Sequence, residues 1–502
     1  MKMNIDKIKT LGDLKRTEYK PLSIKDEMRA NLISILRDKK KPFEGIHGYE
    51  ETVIPDIQTS ILSRHNIILL GLRGQAKTKI ARLMVNLLDD YIPAVAGSEL
   101  NDDPFNPISK FAKDLICEMG DDTPLVWIPK QERYTEKLAT PDVTIADLIG
   151  DVDPIKAASL KLPYSDERVI HFGLIPRSHR EIFVINELPD LQARIQVALF
   201  NILQEKDVQI RGFKIRLPLD VQFVFTANPE DYTNRGSIVT PLKDRIDSQI
   251  LTHYPKSIQV SKKITHQEAK LTDDQKGSVK IFDIINDLIE QIAFEARESE
   301  YVDSKSGVSA RLTISAFENI VSAAERRMLI NNEEETCVRV SDLIGIIPSI
   351  TGKIELVYEG EQEGPVKVAH ILIGKAIKNL FVQHFPSPDK IKRTKEENPY
   401  QSVINWFGKG NYVDVLQTYS NKKYAEVLKS IPGLEKLVEK YHHNINEDLK
   451  LLMMEFALHG LSEHSLLSKH SVVFGTQFKD MISSMFTMDS EENEDDQEES
   501  YL

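Results

Sequence analysis

Residues 66–78 contain groups that could hold a phosphate. The run Asn-Ile-Ile-Leu-Leu-Gly-Leu-Arg-Gly-Gln-Ala-Lys-Thr is a short apolar segment that leads into two glycines and a Lys-Thr pair. Glycines let backbone N–H groups surround an anion, Lys77 would reach the β- and γ-phosphates, and the Thr78 hydroxyl would bind Mg²⁺. The predicted phosphate-binding loop consists of Gly71, Gly74, Gln75, Ala76, Lys77 and Thr78. Ala76 replaces the second glycine of the usual pattern.

Two later segments end in polar residues that could act on a bound phosphate. Residues 181–187 and 221–228 each read as an apolar strand with polar residues at its end. Glu187 could polarise an attacking water, and Asn228 could orient that water. Asn186 stands where a phosphate-loop ATPase normally has an aspartate, so we expect weaker retention of Mg²⁺. Replacing Asn186 by Asp is then expected to raise turnover or the affinity for Mg²⁺.

Two arginines are candidates for contact with a γ-phosphate. Arg245, within Leu-Lys-Asp-Arg-Ile-Asp at 242–247, could reach the site of a neighbouring subunit. The alternative is a surface ion pair with Asp244 or Asp247. Arg311 opens a predicted helix and could approach a phosphate from there, or be an ordinary arginine at a helix start.

The apolar patterns predict an α/β protein with a parallel sheet, followed by helical regions. Leu125–Ile128 is a candidate second strand, and the alternation at 208–217 predicts a β-hairpin. The predicted divisions are an N-terminal helical segment (1–40), an α/β nucleotide-binding domain (41–256), a helical domain (257–384), a C-terminal helical region (400–488) and a disordered acidic tail (489–502).

Composition narrows the class of protein. The chain has 502 residues and two cysteines without metal-ligand spacing, which predicts a reducing cytoplasmic setting, no disulfide and no zinc. No apolar stretch is long enough to span a membrane, so insertion into a membrane is not expected. The net charge of −13 owes much to the acidic tail, and nucleic-acid binding is not favoured. Arg211, Lys214 and Arg216 leave a DNA motor open as an alternative to solvated hairpin positions.

In order along the chain, these motifs resemble the signature of AAA+ ATPases. Gly71–Thr78 resembles Walker A, Asn186-Glu187 Walker B, Asn228 sensor 1, Arg245 the arginine finger and Arg311 sensor 2. The Ala-Lys-Thr loop ending, residues 173–187 and Asn228-Pro229-Glu230 are similar to the MoxR and magnesium-chelatase I-subunit branch. By the same resemblance, Tyr49 belongs to the motif on the adenine side, Thr140–Phe172 is an insertion before Walker B, and 208–217 is the hairpin before sensor 1.

The resemblance implies a P-loop AAA+ core followed by a helical lid, with ATP and Mg²⁺ as cofactors and ATP hydrolysis as the activity. It also implies a homo-oligomer, commonly a hexameric ring, that remodels a partner in the manner of a chaperone. Members of this branch are often paired with a von Willebrand factor A domain protein. Two alternatives stay open: a weakly hydrolysing ATP-gated scaffold, suggested by Asn186, and the ATPase subunit of a metal-chelatase complex.

Overall fold

A computed structural model describes residues 5–163, 166–210, 216–228, 237–391, 398–472 and 475–481 of the protein. The chain forms two compact units, Met1–Tyr254 and Pro255–Leu502. Their boundary lies close to the predicted end of the α/β domain at residue 256. The further division of the second unit into a lid and a C-terminal region stays a prediction.

The first unit is built on a five-stranded parallel sheet. Its strands in chain order are β1 (Ile67–Leu70), β2 (Tyr134–Leu138), β3 (Glu181–Asn186), β4 (Val221–Ala227) and β5 (Ser248–Leu251). Their spatial order is β5-β1-β4-β3-β2, and every neighbouring pair is parallel. The predicted α/β class with a parallel sheet flanked by helices is therefore confirmed. Because carboxyl ends of parallel strands meet at one edge, the polar ends of β3 and β4 lie beside the end of β1.

Both faces of this sheet are covered, which explains the continuous apolar runs. In β1, Ile67 and Leu69 face one hydrophobic cluster while Ile68 and Leu70 face another. Three helices contribute to the first cluster: Ile24–Arg37, Val53–Leu62 and Lys77–Leu83. Two helices contribute to the second: Ala193–Glu205 and Thr240–Arg245.

The strand at Leu125–Ile128 is present, but its predicted place as second strand of the sheet is wrong. The observed strand Leu125–Pro129 pairs antiparallel with Tyr91–Val95, outside the main sheet. The position beside β3 belongs instead to β2, whose sequence is Tyr-Thr-Glu-Lys-Leu. An edge strand is only partly covered, so β2 needs no apolar run and its sequence does not stand out.

Smaller ribbons and helices surround the sheet. Within the predicted insertion Thr140–Phe172, Gly150–Val152 pairs antiparallel with Ile170–Phe172. In the predicted hairpin, Asp207–Gln209 pairs antiparallel with Arg216–Pro218; Arg211 and Lys214 lie outside the described residues. The remaining α-helices described in the first unit are Leu11–Lys15, Lys110–Met119, Ile145–Leu148, Pro154–Leu160 and Leu174–Arg177.

The second unit is mainly helical. Its α-helices, as far as the structure describes them, are Ile258–Glu268, Asp273–Ser278, Asp283–Glu298, Arg311–Ile330, Ile347–Thr351, Tyr358–Glu363, Pro365–His384, Pro388–Ile391, Gln401–Phe407, Asn421–Lys429, Leu434–Tyr441 and Glu447–Glu463. Glu447–Glu463 is covered on all sides along its middle, from Leu451 to Leu461. One continuous hydrophobic core includes residues from Val279 to Phe478.

The second unit also contains strands that the purely helical prediction missed. Val413–Leu416, Gly475–Lys479 and Ser468–Val472 form a three-stranded antiparallel sheet. Val279–Lys280 pairs with Thr336–Cys337. Strands this short carry too few alternating residues to be recognised against the long helical patterns around them. Among the described residues, no helix is both long and apolar enough to cross a membrane.

Candidate functional site

The loop after β1 contains two residues with a left-handed backbone, Gly74 and Ala76. A Cβ on Gly71 would overlap the side chains of Thr252 and Gln75, so a larger residue there would displace this hydrogen-bonded pair. Gly74 has φ +75°, and Ala76 has φ +58° at the position just before the helix Lys77–Leu83. This left-handed conformation costs a non-glycine residue about 1 kcal/mol or more. The alanine is therefore accommodated at a position that favours glycine.

Lys77 connects this loop to the end of β4. Its side chain is buried, and its ammonium group donates to the carbonyl oxygens of Gly71 and Leu72. It also donates to Asn228 Oδ1 at 2.6 Å. The sequence placed Lys77 and Asn228 in the same predicted site, and the structure brings the two side chains into direct contact.

Asn228 in turn contacts Glu187. The Asn228 amide nitrogen donates to Glu187 Oε2 at 3.1 Å, so its two ends serve Lys77 and Glu187 respectively. Glu187 adopts a left-handed backbone with φ +54° directly after β3. Its backbone N–H donates to Thr226 Oγ1 at 3.1 Å. The left-handed backbone ends the strand direction at Glu187, and the Glu187 side chain contacts Asn228.

Asn186 is buried at the end of β3 and accepts from two threonines. Thr226 Oγ1 lies 3.0 Å from Asn186 Oδ1, and Thr78 Oγ1 lies 3.5 Å from the same atom. Thr226 was not singled out from the sequence, although it stands two positions before Asn228 and its side chain therefore lies on the same side of the strand. That alternation was the available signal for it.

The side-chain amide of Asn186 also reaches the edge strand β2. Its nitrogen donates to Glu136 Oε1 at 2.5 Å. The other oxygen of Glu136 accepts from Tyr134 Oη and from Arg82 Nε, both at 3.0 Å. Burial, reinforced by the Glu136 charge, raises the pKa of Tyr134 well above its usual value, which keeps this hydroxyl a donor. Sequence reasoning missed Glu136 because β2 itself was not recognised.

Tyr49 lies behind the loop. Its buried hydroxyl is within hydrogen-bonding distance of the carbonyl oxygens of Gln75 (3.1 Å) and His253 (2.7 Å), and burial raises its pKa to about 12. The Gln75 side chain accepts from Thr252 Oγ1 at 2.6 Å. These contacts brace the loop backbone. A direct contact of Tyr49 with a nucleotide stays a prediction.

The two predicted arginines lie in different units. Arg245 ends the helix Thr240–Arg245; its guanidinium donates to Gln204 Oε1 at 3.0 Å and lies 5.0 Å from the centre of the Phe200 ring. Arg311 is exposed and begins the helix Arg311–Ile330 of the second unit. The roles of both arginines toward a phosphate stay predictions.

The oxygen atoms around Thr78 suit a small hard cation. The Thr78 hydroxyl lies 3.5 Å from the Asn186 amide oxygen, and the Glu136 carboxylate accepts from the nitrogen of the same amide. Mg²⁺ prefers oxygen ligands and keeps several waters, so one hydroxyl and one amide oxygen next to a phosphate would fit it. The residues at this edge of the sheet are therefore compatible with a magnesium–nucleotide complex.

The strand order, the loop after β1 and the polar ends of β3 and β4 are the features on which the resemblance to AAA+ ATPases rests. No family model matches the chain. A protein of Cytophaga hutchinsonii that is provisionally assigned as an ATPase aligns at 16% identity over 70% of this chain and 95% of its own, with a TM-score of 0.30. A chain from the complex of subunits BchI and BchD of magnesium chelatase aligns at 19% identity over 64% and 98%, with a TM-score of 0.32. Hsp104 aligns at 12% identity over 62% and 50%, with a TM-score of 0.36.

Proposed function

We propose that this chain binds ATP together with Mg²⁺ and hydrolyses it to ADP and phosphate. The observation that carries the proposal is the hydrogen-bonded chain from Lys77 through Asn228 to Glu187. It joins the loop after β1, to which we assign phosphate binding, to the carboxylate that we assign to the attacking water. Each of these side chains stands at the carboxyl edge of the parallel sheet, where ligands bind in open α/β folds.

Each side chain has a task in this proposal. Lys77 and the loop N–H groups bind the β- and γ-phosphates, and Thr78 with Asn186 holds the metal. Mg²⁺ supplies neutralisation of charge on the phosphate oxygens when bound. Glu187 polarises the attacking water, and Asn228 orients it. The Lys77 ammonium donates to the Gly71 and Leu72 carbonyls and to Asn228 Oδ1. To bind a nucleotide, it must exchange these acceptors for phosphate oxygens.

The assembly and the biological task are proposed from the order of the sequence motifs. A homo-oligomeric ring would let Arg245 complete the site of a neighbouring subunit, with Arg311 as a second arginine at the phosphate. Remodelling of a partner, such as a von Willebrand factor A domain protein, is the proposed use of ATP. Asn186 supports a second candidate, an ATP-gated scaffold with slow turnover, because the amide lacks the charge of aspartate. A metal-chelatase ATPase subunit is a narrower form of the first proposal.

Replacing Lys77 by Ala tests whether the loop binds nucleotide. We expect at least a hundredfold loss of affinity for a fluorescent ATP analogue in the presence of Mg²⁺, since a charge-assisted hydrogen bond is worth about 1.5–3 kcal/mol and Lys77 would make more than one. Lys79→Ala is the matched control, because Lys79 belongs to the same helix but contacts the Gly45 carbonyl. Equal affinity of wild type and Lys77→Ala would overturn the proposed site.

A further inference from the structure

We propose that Glu136 is a positioning residue of the metal site, which supplies from β2 the negative charge that Asn186 lacks. The proposal rests on the proposed function and assigns a role within the same site. Glu136 lies on β2 and Asn186 on β3. A hydrogen bond from Asn186 Nδ2 to Glu136 Oε1 links the two side chains. The pair Asn186–Glu136 thus takes the place of a single aspartate.

Glu136 first determines which way the Asn186 amide points. A carboxylate only accepts hydrogen bonds, so it must face the NH₂ group of Asn186 and not the oxygen. The oxygen is then directed to the hydroxyls of Thr226 and Thr78. A reversed amide would place two acceptors against each other at 2.5 Å. The orientation that presents oxygen toward Thr78, and hence toward the metal, is therefore imposed by Glu136.

Glu136 also makes the Asn186 oxygen a better ligand for a cation. A negative charge next to the amide NH₂ group polarises the amide and increases the partial negative charge on its oxygen, as hydrogen-bonded chains do in a poorly solvated site. The partly buried Tyr134 hydroxyl holds the carboxylate, which also accepts from the exposed Arg82. Arg82 is 63% exposed and Glu136 only 23%, so water screens the arginine charge more than the glutamate charge.

This pairing changes the expected result of replacing Asn186. The sequence alone predicts a gain for Asn186→Asp, because the new carboxylate would stand beside the metal. With Glu136 in hydrogen-bonding distance, however, the exchange places two carboxylates in contact, and like charges at that distance favour protonation of one of them. The new carboxylate is expected to help only relative to Glu136→Gln, because the double variant moves the one charge from β2 to β3.

A double-mutant cycle tests the proposal through binding. The four proteins are wild type, Glu136→Gln, Asn186→Asp and the double variant, and the measured quantity is the Mg²⁺ concentration that half-saturates the enhancement of ATP-analogue affinity. Loss of groups that orient metal ligands typically costs 10–100-fold in metal affinity. We expect Glu136→Gln to need at least about tenfold more Mg²⁺, Asn186→Asp to show no gain, and the double variant to recover most of the loss.

Arg82→Gln is the matched control, because it removes the same ion pair but leaves the Glu136 charge. We expect it to leave the Mg²⁺ requirement unchanged or lower. Affinity for the analogue without Mg²⁺ is measured for each of the five proteins and serves as the baseline from which its Mg²⁺ enhancement is calculated. If Glu136→Gln does not fold, Asn186→Asp against wild type decides: an unchanged or raised Mg²⁺ requirement supports the proposal, and a lowered requirement overturns it.

Three results would overturn the role of Glu136. They are an unchanged Mg²⁺ requirement in Glu136→Gln, equal behaviour of Asn186→Asp and the double variant, and a defect in Arg82→Gln as large as that in Glu136→Gln. Failure of the proposed function would look different, because Lys77→Ala would then bind the analogue as well as wild type does. The two proposals can therefore fail separately.

Discussion

Asn228 occupies the middle of the site because a side-chain amide offers one acceptor and two donors. Its oxygen accepts from Lys77 and its nitrogen donates to Glu187, so this contact orients the Glu187 carboxylate from the loop side. The hydroxyl oxygen of Thr226, on β4, accepts a hydrogen bond from the backbone N–H of Glu187. Glu187 is thus held at its side chain by Asn228, directly after β4, and at its backbone by Thr226 within β4.

Replacing Glu187 by Gln separates binding from hydrolysis. Glutamine keeps an oxygen that can accept from Asn228, so we expect the affinity for ATP to stay within the range of wild type. It cannot take up a proton, so steady-state phosphate release should fall by about 10²–10⁴-fold, the usual contribution of a general base. Glu205→Gln, at an exposed helix end, is the control for removal of one charge. Equal and very slow phosphate release from wild type and Glu187→Gln would favour the ATP-gated scaffold.

At the scale of elements, polar contacts join the residues that directly precede β3 and β4. The backbone N–H of Asp220 donates to His179 Nδ1 at 3.0 Å, and the N–H of Arg180 donates to the Asp220 carbonyl at 2.6 Å. His179 must be neutral at Nδ1 to accept this bond. Burial lowers the pKa of His179 to about 4, from an ordinary value of 6.5.

This buried histidine predicts a loss of stability in acid. Between pH 6.5 and about 4 the unfolded chain binds a proton at His179 that the folded chain does not, so the free energy of unfolding falls as pH falls through this range. A shift of this size corresponds to about 3 kcal/mol. His179→Asn keeps an acceptor without a titrating group, and urea unfolding at pH 7 and pH 4.5 should show a smaller acid loss in the variant.

The neighbouring Glu181 also has a shifted pKa, but its contribution to stability changes with pH in the opposite direction. Burial raises its pKa to about 7, so its contribution to stability is present at low pH and is lost as pH rises through 7. Both proteins contain Glu181, and its contribution therefore cancels in the difference between them. An identical pH dependence for wild type and His179→Asn would contradict the assignment.

The sequence revealed the elements that are buried on both faces and missed those that are not. β1, β3 and β4 are buried along their whole length and rich in apolar residues, so their presence and the grouping of Lys77 with Asn228 in one site were within reach of pattern reasoning. β2 is a half-exposed edge strand of mixed composition, and the contact of Glu136 with Asn186 depends on its register against β3. Register between distant segments is a tertiary property that local periodicity does not carry.

For the molecule as a whole, the open question is whether one chain contains a complete ATPase site. Arg245 contacts Gln204, the Pro241 carbonyl and the Phe200 ring of its own chain. These contacts hold the end of the helix Thr240–Arg245 against the helix Ala193–Glu205. An arginine finger would exchange them for a phosphate of the next subunit, which is possible for a side chain that is only partly buried.

If Arg245 acts on a neighbouring subunit, specific activity must rise with protein concentration as rings assemble. Arginine fingers are worth about 10³–10⁵ in rate, so Arg245→Ala should lose nearly all turnover while it still binds ATP. Mixing Arg245→Ala with Glu187→Gln should then restore part of the activity, because some interfaces pair an intact Glu187 with an intact Arg245. Lys243→Ala removes a cation from the same helix and is the control.

The mixing experiment also resolves the structural alternative for Arg245. Rescue shows that Arg245→Ala subunits fold and assemble, since they must supply the working Glu187 in the active interfaces. Absence of rescue at every mixing ratio, with mixed assemblies confirmed by native mass spectrometry, would restrict Arg245 to its own chain, where the contacts with Gln204 and Phe200 already give it a packing role. Full activity from a species that stays monomeric at all concentrations would refute the ring, and with it the need for any residue from a second subunit.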